Sequence, residues 1–102
     1  MSEPRRIYIS TPITGLPLEE IDKNIKRAKL AIIAKGDIPV SPLEITKDSP
    51  HNATIGHYMG KDIEHLIDNC EGAYFTRKWK ESKGCNVEYI TAKVYEKEIQ
   101  FE

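Results

Sequence analysis

The chain has 102 residues, with 15 Lys and Arg against 16 Asp and Glu and a formal net charge of −1 at pH 7. That length predicts one domain, residues 1–102, with a real core. The evenly mixed charge gives no electrostatic grounds for a nucleic acid polymer or a membrane surface as partner, and leaves a small neutral or anionic ligand open.

The opening stretch MSEPRRIYIS carries no long apolar run, so neither a secretory signal nor a membrane span is predicted and a cytoplasmic location is expected. Arg6 to Ser10 is rich in β-formers and predicts a first strand, ended by the loop TPITG, where Pro12 and Gly15 break regular structure. From Leu18 to Lys35, Ile21, Ile25, Ala28, Ile32 and Ile33 recur at helical spacing, and Gly36 is placed to end the helix. DIPVSP is a weaker strand because Pro39 interrupts it, and its position after a strand and a helix predicts a parallel crossover.

LEITKDSPHNATIGHY is long and polar and reads as a loop, of a length that is more often functional than accidental. Helical spacing resumes from Met59 to Cys70. AYFT predicts a third strand, RKWKESKG a third loop, and Val87, Ile90, Thr91 and Val94 a last helix, with EIQFE as a short final strand. The sum is a small α/β sandwich with a parallel sheet of four or five strands. Ligands of such sheets bind at the carboxyl ends of the strands, among the following loops.

That rule selects the loops after strands one, two and three, and the third leads into SKGCNVEY. Ser82 is placed to start the last helix, which puts Glu88 within its first two turns, where the helix dipole favours an ionised carboxylate. A carboxylate in an apolar cleft suits nucleophilic attack on an anomeric carbon, a reaction that also wants a second carboxyl for the leaving group's proton. Asp62, beside Ile63 in KDIEHLID, is the first candidate and Asp68 its competitor. Both Glu88 and Asp62 also read as ordinary solvated charges near helix starts. Ser10 and Thr11 offer hydroxyls and Gly15 a turn that can expose backbone donors, although a plain helix-entry turn looks the same. Trp79 is placed either to stack on a nucleobase or to pack over the sheet rim. His51, His57 and His65 match no metal-site spacing, Cys70 and Cys85 fit neither a redox pair nor a zinc knuckle, and no metal or other cofactor is expected.

YISTPITG, DIEHLIDNCEGAYF and above all Ser82-x-Gly84-x-x-x-Glu88 followed by Ala92 resemble the nucleoside 2-deoxyribosyltransferase superfamily, nearest to its small bacterial and phage members of uncharacterised role. The resemblance spans nearly the whole chain in order and spacing. It implies a three-layer, flavodoxin-like or Rossmann-like sandwich that cleaves or exchanges the N-glycosidic bond of a deoxynucleoside or its 5′-monophosphate. The catalytic residues it implies are Glu88 as nucleophile, Asp62 at the sugar or the leaving base, and Tyr8 near the reacting centre, while Ser82 falls on a serine that in the monophosphate-specific members helps hold the 5′-phosphate and Gly84 is a further substrate-binding position of the same motif. It also implies a homodimer or higher homo-oligomer whose neighbouring chain completes the pocket, with Trp79 or the loop from Thr46 to Tyr58 near the shared cleft. Two positions depart from the pattern. Pro12 stands where the monophosphate hydrolases carry a serine, and Asn69 lies near a position where the transferases carry a further aspartate. The alternative to an enzyme is a non-catalytic nucleotide-binding or sensing domain of the same architecture.

Overall fold

Strand β1 (Arg6–Ser10) leads into helix α1 (Leu18–Ala34), followed by β2 (Ile38–Val40), the single-turn helix α2 (Pro42–Ile45), α3 (Ile55–Asn69), β3 (Gly72–Phe75), a 3-10 turn (Trp79–Glu81), α4 (Lys83–Val94) and β4 (Glu98–Phe101). This is a computed structural model that describes residues 3–102. The strands form one parallel sheet in the order β2-β1-β3-β4, so β1 is interior and pairs with both β2 and β3. Three strand–helix–strand crossovers and a sheet covered on both faces make an α/β three-layer sandwich of the flavodoxin-like kind, compatible with nucleotide binding at its carboxyl end.

Alternation along β1 separates the two faces. Ile7 and Ile9 join Tyr74 against Ile21, Ile25, Ala28 and Ile32 of α1. Tyr8 faces the other way, among Val40, Leu66, Cys70, Ala73, Phe75 and Ala92. Successive side chains of a strand point to opposite faces, so a single segment, RIYIS, supplies one wholly apolar surface and one carrying hydroxyls. Gly36 ends α1 at φ +83, a conformation that costs a residue without Cβ little, and Asp37 then turns the chain into β2.

The polar segment after β2 is more ordered than its composition predicts. Ser41 accepts the N–H of Leu43 and Pro42 occupies the first helical position, which together start α2. Helix α3 begins at Ile55, four residues before the apolar spacing resumes, because Thr54 accepts the N–H of His57 at 3.1 Å and so caps a first turn that contains Gly56.

Candidate functional site

Glu88 belongs to the second turn of α4, a helix whose start is fixed by Ser82 accepting the N–H of Cys85 at 3.2 Å. Cys85, Glu88 and Ala92 recur at i, i+3 and i+7 and form the buried stripe that packs on the sheet. The stripe brings the Glu88 side chain over the carboxyl end of β1. There the Tyr8 hydroxyl donates to Oε2 at 2.8 Å and the Ser10 hydroxyl donates to Oε1 at 2.6 Å. Tyr8 and Ser10 are adjacent on one strand face, so the pleat itself sets two donors on the two oxygens of one carboxyl group.

Asp62 reaches the same place from α3. Gly84 lies so close to this helix that a Cβ there would stand 3.2 Å from the Met59 sulfur. Asp62 follows Met59 by one helical turn, and Glu88 follows Gly84 by one helical turn. The close approach at Gly84 therefore carries both carboxyls into one buried region. Glu88 is 4% exposed and Asp62 6%. Asp62 Oδ1 has no hydrogen-bond partner among the described residues, which marks it out, since buried polar atoms are nearly always paired.

Burial dominates the electrostatics. It pushes the Glu88 carboxyl up to about 7, against the opposing hydrogen bonds of Ser10 and Tyr8 and with a smaller push from the charge of Asp62. Asp62 is likewise pushed up to about 7 by burial, opposed by the Tyr8 hydroxyl. Tyr8 itself is held well above its ordinary value by burial and then by the two carboxyls, so its proton stays on as a donor. The helix dipole suggested an ionised Glu88. Desolvation outweighs it in the second turn of α4, so the protonated form of each carboxyl persists well above the ordinary carboxyl range.

The remaining expected residues are distributed as follows. Ser82 and Gly84 build the α4 start and its contact with α3. Thr11 is buried and turned away from Glu88, accepting the Thr76 hydroxyl at 2.8 Å. Gly15, at φ +83, closes the turn in which the Leu16 N–H reaches the Ile13 carbonyl. Trp79 packs within the protein, stacked on Tyr89 with ring centroids 4.8 Å apart and on Phe101 at 5.7 Å, with Phe75 beneath. Asp68 is exposed on α3. Cys85 was not singled out by sequence reasoning. Its thiol is pushed up by burial, with Ser10 and Ser82 opposing and Glu88 adding to the rise, so it lines the same region. The readable signal was its i, i+3 relation to Glu88.

Among the described residues no three His, Cys, Asp or Glu side chains converge as ligands for a metal ion, and no helix is long and apolar enough to cross a membrane. A half-open pocket of about 350 Å³ is lined by Ile45, Asp48, Ser49 and Pro50 and by His57 and Lys61 of α3, and neither Glu88 nor Asp62 contributes to it.

No curated protein matches the sequence. Residues 5–101 match the family model described as a domain of unknown function, DUF4406, and the chain belongs to that family.

Proposed function

We propose that the protein is a nucleotide-binding domain that takes a nucleoside or nucleotide at the carboxyl end of its parallel sheet, with the sugar over Tyr8, Ser10, Asp62 and Glu88. The observation that carries this is the partnerless Oδ1 of Asp62 beside a carboxyl whose own two oxygens are both engaged. A buried oxygen left unpaired costs about 1–3 kcal/mol. A sugar hydroxyl would supply the missing donor. Calorimetric titration with a panel of deoxynucleosides and their 5′-monophosphates should find a ligand that Asp62→Ala binds about tenfold more weakly, the equivalent of one hydrogen bond to a charged or shared-proton group. A panel without any binding would remove the reading.

A second reading is favoured by the two carboxyls that burial brings to about 7 in one place. With one ionised and one protonated, the Glu88 oxygen can attack the anomeric carbon while Asp62 gives its proton to the departing base. The C–N bond breaks, a glycosyl ester forms on Glu88, and water or a second base completes hydrolysis or exchange. This is the chemistry of the nucleoside 2-deoxyribosyltransferase superfamily, to which we propose the fold is related. Release of free base by the wild type and its loss in Glu88→Ala would establish it. Binding without base release in both would leave the non-catalytic domain.

The same reading includes a cytoplasmic location and a homodimer or higher homo-oligomer as proposals. Val87, Ile90 and Val94 lie at i, i+3 and i+7 on the side of α4 opposite its buried stripe and are 49%, 61% and 68% exposed. A helix apolar on both sides is suited to burial on both. Antiparallel pairing of two copies of α4 about a two-fold axis between Ile90 and Thr91 sets Val87 against Val94 of the second copy.

A further inference from the structure

The carboxyl end of the sheet has a second side. Strand β1 leads towards α1, whereas β3 leads towards α4 on the opposite face, so the crevice where ligands of such folds sit lies between the ends of β1 and β3. Two ties close the crest of that crevice: the Thr76 N–H donates to the Ser10 carbonyl at 3.0 Å and the Thr76 hydroxyl donates to Thr11. Glu88 lies on the α4 side. On the α1 side, directly after Thr76, three donor groups converge on one anion.

That anion is the Glu102 side chain. Its Oε1 accepts the backbone N–H of Arg77 at 3.0 Å. Its Oε2 accepts Arg27 Nε at 2.8 Å, and Arg77 Nη2 and Nε at 3.1 and 3.3 Å. Burial pushes the Glu102 carboxyl up, and these donors more than reverse it, holding the group below its ordinary value. Two guanidiniums share one carboxylate, and the other contact of Arg27 is the neutral amide oxygen of Asn24. On the same sheet face, Gln100 is 9% exposed and its Oε1 has no partner among the described residues.

Paired forks and a backbone N–H around a single charge suit a planar or tetrahedral dianion better than a carboxylate, because a second negative charge neutralises the second guanidinium and extra oxygens engage donors that one carboxylate must share. We propose that Arg27, Arg77 and the Arg77 backbone N–H form a binding site for a phosphate-like dianion, with the Glu102 side chain as its internal competitor. The site is separate from Glu88 and does not depend on the reading of that residue. Its ligand is phosphate chemistry, either the free ion or the phosphate of a small molecule lying across the crest. Glu102 releases the cradle only to an anion of higher charge, which makes the site selective against monocarboxylates and chloride.

The test is a titration of the whole protein with inorganic phosphate at constant ionic strength, read by the NMR signals of the Arg77 amide and the Arg27 and Arg77 guanidinium Nε–H groups. Saturable shifts at these signals are expected in the wild type. In Glu102→Gln the same shifts should saturate at about tenfold lower phosphate, the effect of removing a charge-assisted competitor. Arg77→Lys keeps the charge and the backbone N–H but loses the fork, and should bind about tenfold more weakly than wild type. A parallel titration with a deoxynucleoside 5′-monophosphate identifies the source: half-saturation below that of inorganic phosphate means a phosphorylated small molecule, and equal half-saturation means the free ion. If Glu102→Gln does not fold, the wild-type and Arg77→Lys titrations decide. Shifts that chloride reproduces, or equal half-saturation in wild type and Glu102→Gln, would overturn the site and leave Glu102 as a clasp between β4 and α1.

Discussion

The odd and even residues of β1 have the same neighbours in sequence and opposite surroundings. Ile7 and Ile9 meet apolar side chains, chiefly the stripe of α1, whereas Tyr8 and Ser10 meet a carboxyl group on α4. On the first face every buried side chain of the strand adds to the core by leaving water. On the second, burial acts against two acids that it drives to about 7. A strand interior to a parallel sheet is normally apolar on both faces. The face that breaks the pattern is the one that buries ionisable groups, and such exceptions cluster at functional sites.

The contrast breaks most visibly on substitution. Ile9→Ala should destabilise the fold by about 2–5 kcal/mol, since it opens a cavity under α1, and should leave the raised titration of Glu88 unchanged. Chemical denaturation and carboxyl ¹³C chemical shifts measure the two effects separately. Loss of the Glu88 titration in Ile9→Ala at temperatures where it stays folded would erase the distinction between the faces.

Glu88→Gln sharpens the comparison in the opposite direction. The ordinary glutamic value is 4.5 and the native value about 7, so between these limits the native state holds more protons than the unfolded chain. Stability therefore falls as pH rises through that window and stays lowered above it. Asp62 adds the same sign between its ordinary 3.8 and about 7. Removing the ionisable group should stabilise the protein by about 1–3 kcal/mol at pH 8, with little gain at pH 4, and flatten the curve between. A substitution that raises stability while removing the proposed ligand chemistry is the signature of a site rather than a core.

Gly84→Ala tests the spacing that joins the two acids. The helix gains about 0.5–1 kcal/mol in propensity, and the new methyl presses on the Met59 sulfur, so the net change should lie within about 1 kcal/mol of zero. Separation of α3 from α4 should nonetheless lower the native values of Glu88 and Asp62 towards their ordinary ones as water enters, which carboxyl ¹³C titration would show.

How far these faces could be read from the sequence depends on the range of each contact. The strand RIYIS and the long apolar spacing of α1 are local signals, and both elements lie where expected. The parallel order with β1 inside followed from strand and helix alternation. The start of α3 did not follow, because Thr54 and Gly56 form a capped turn whose apolar stripe has not yet begun. Helix α2 did not follow either, because the polar segment after β2 was expected to be a loop and its single turn rests on the Ser41 cap on Leu43. Glu88 stood out by its position near a helix start and by the motif around Gly84, whereas Asp62 was expected near the start of its helix and lies in the middle of α3, because the Thr54 cap begins that helix four residues earlier. The bond from Ser10 to Glu88 spans 78 residues and has no local signature. Trp79 is the clearest case of a long-range decision: its surroundings in sequence are charged, and its stacking partners Tyr89 and Phe101 come from α4 and β4.

The central claim is that the Tyr8–Ser10–Glu88–Asp62 face is a ligand site. It is tested most directly with unphosphorylated deoxynucleosides, which keep the Arg27–Arg77 cradle out of the measurement. Carboxyl ¹³C and backbone ¹H–¹⁵N signals followed through the titration should move at Glu88, Asp62, Tyr8 and Ser10 and stay fixed at Ile21, Ile25 and Ile32 of α1. Saturable binding whose shifts avoid Glu88 and Asp62, or no binding by any deoxynucleoside at millimolar concentration, would contradict the account.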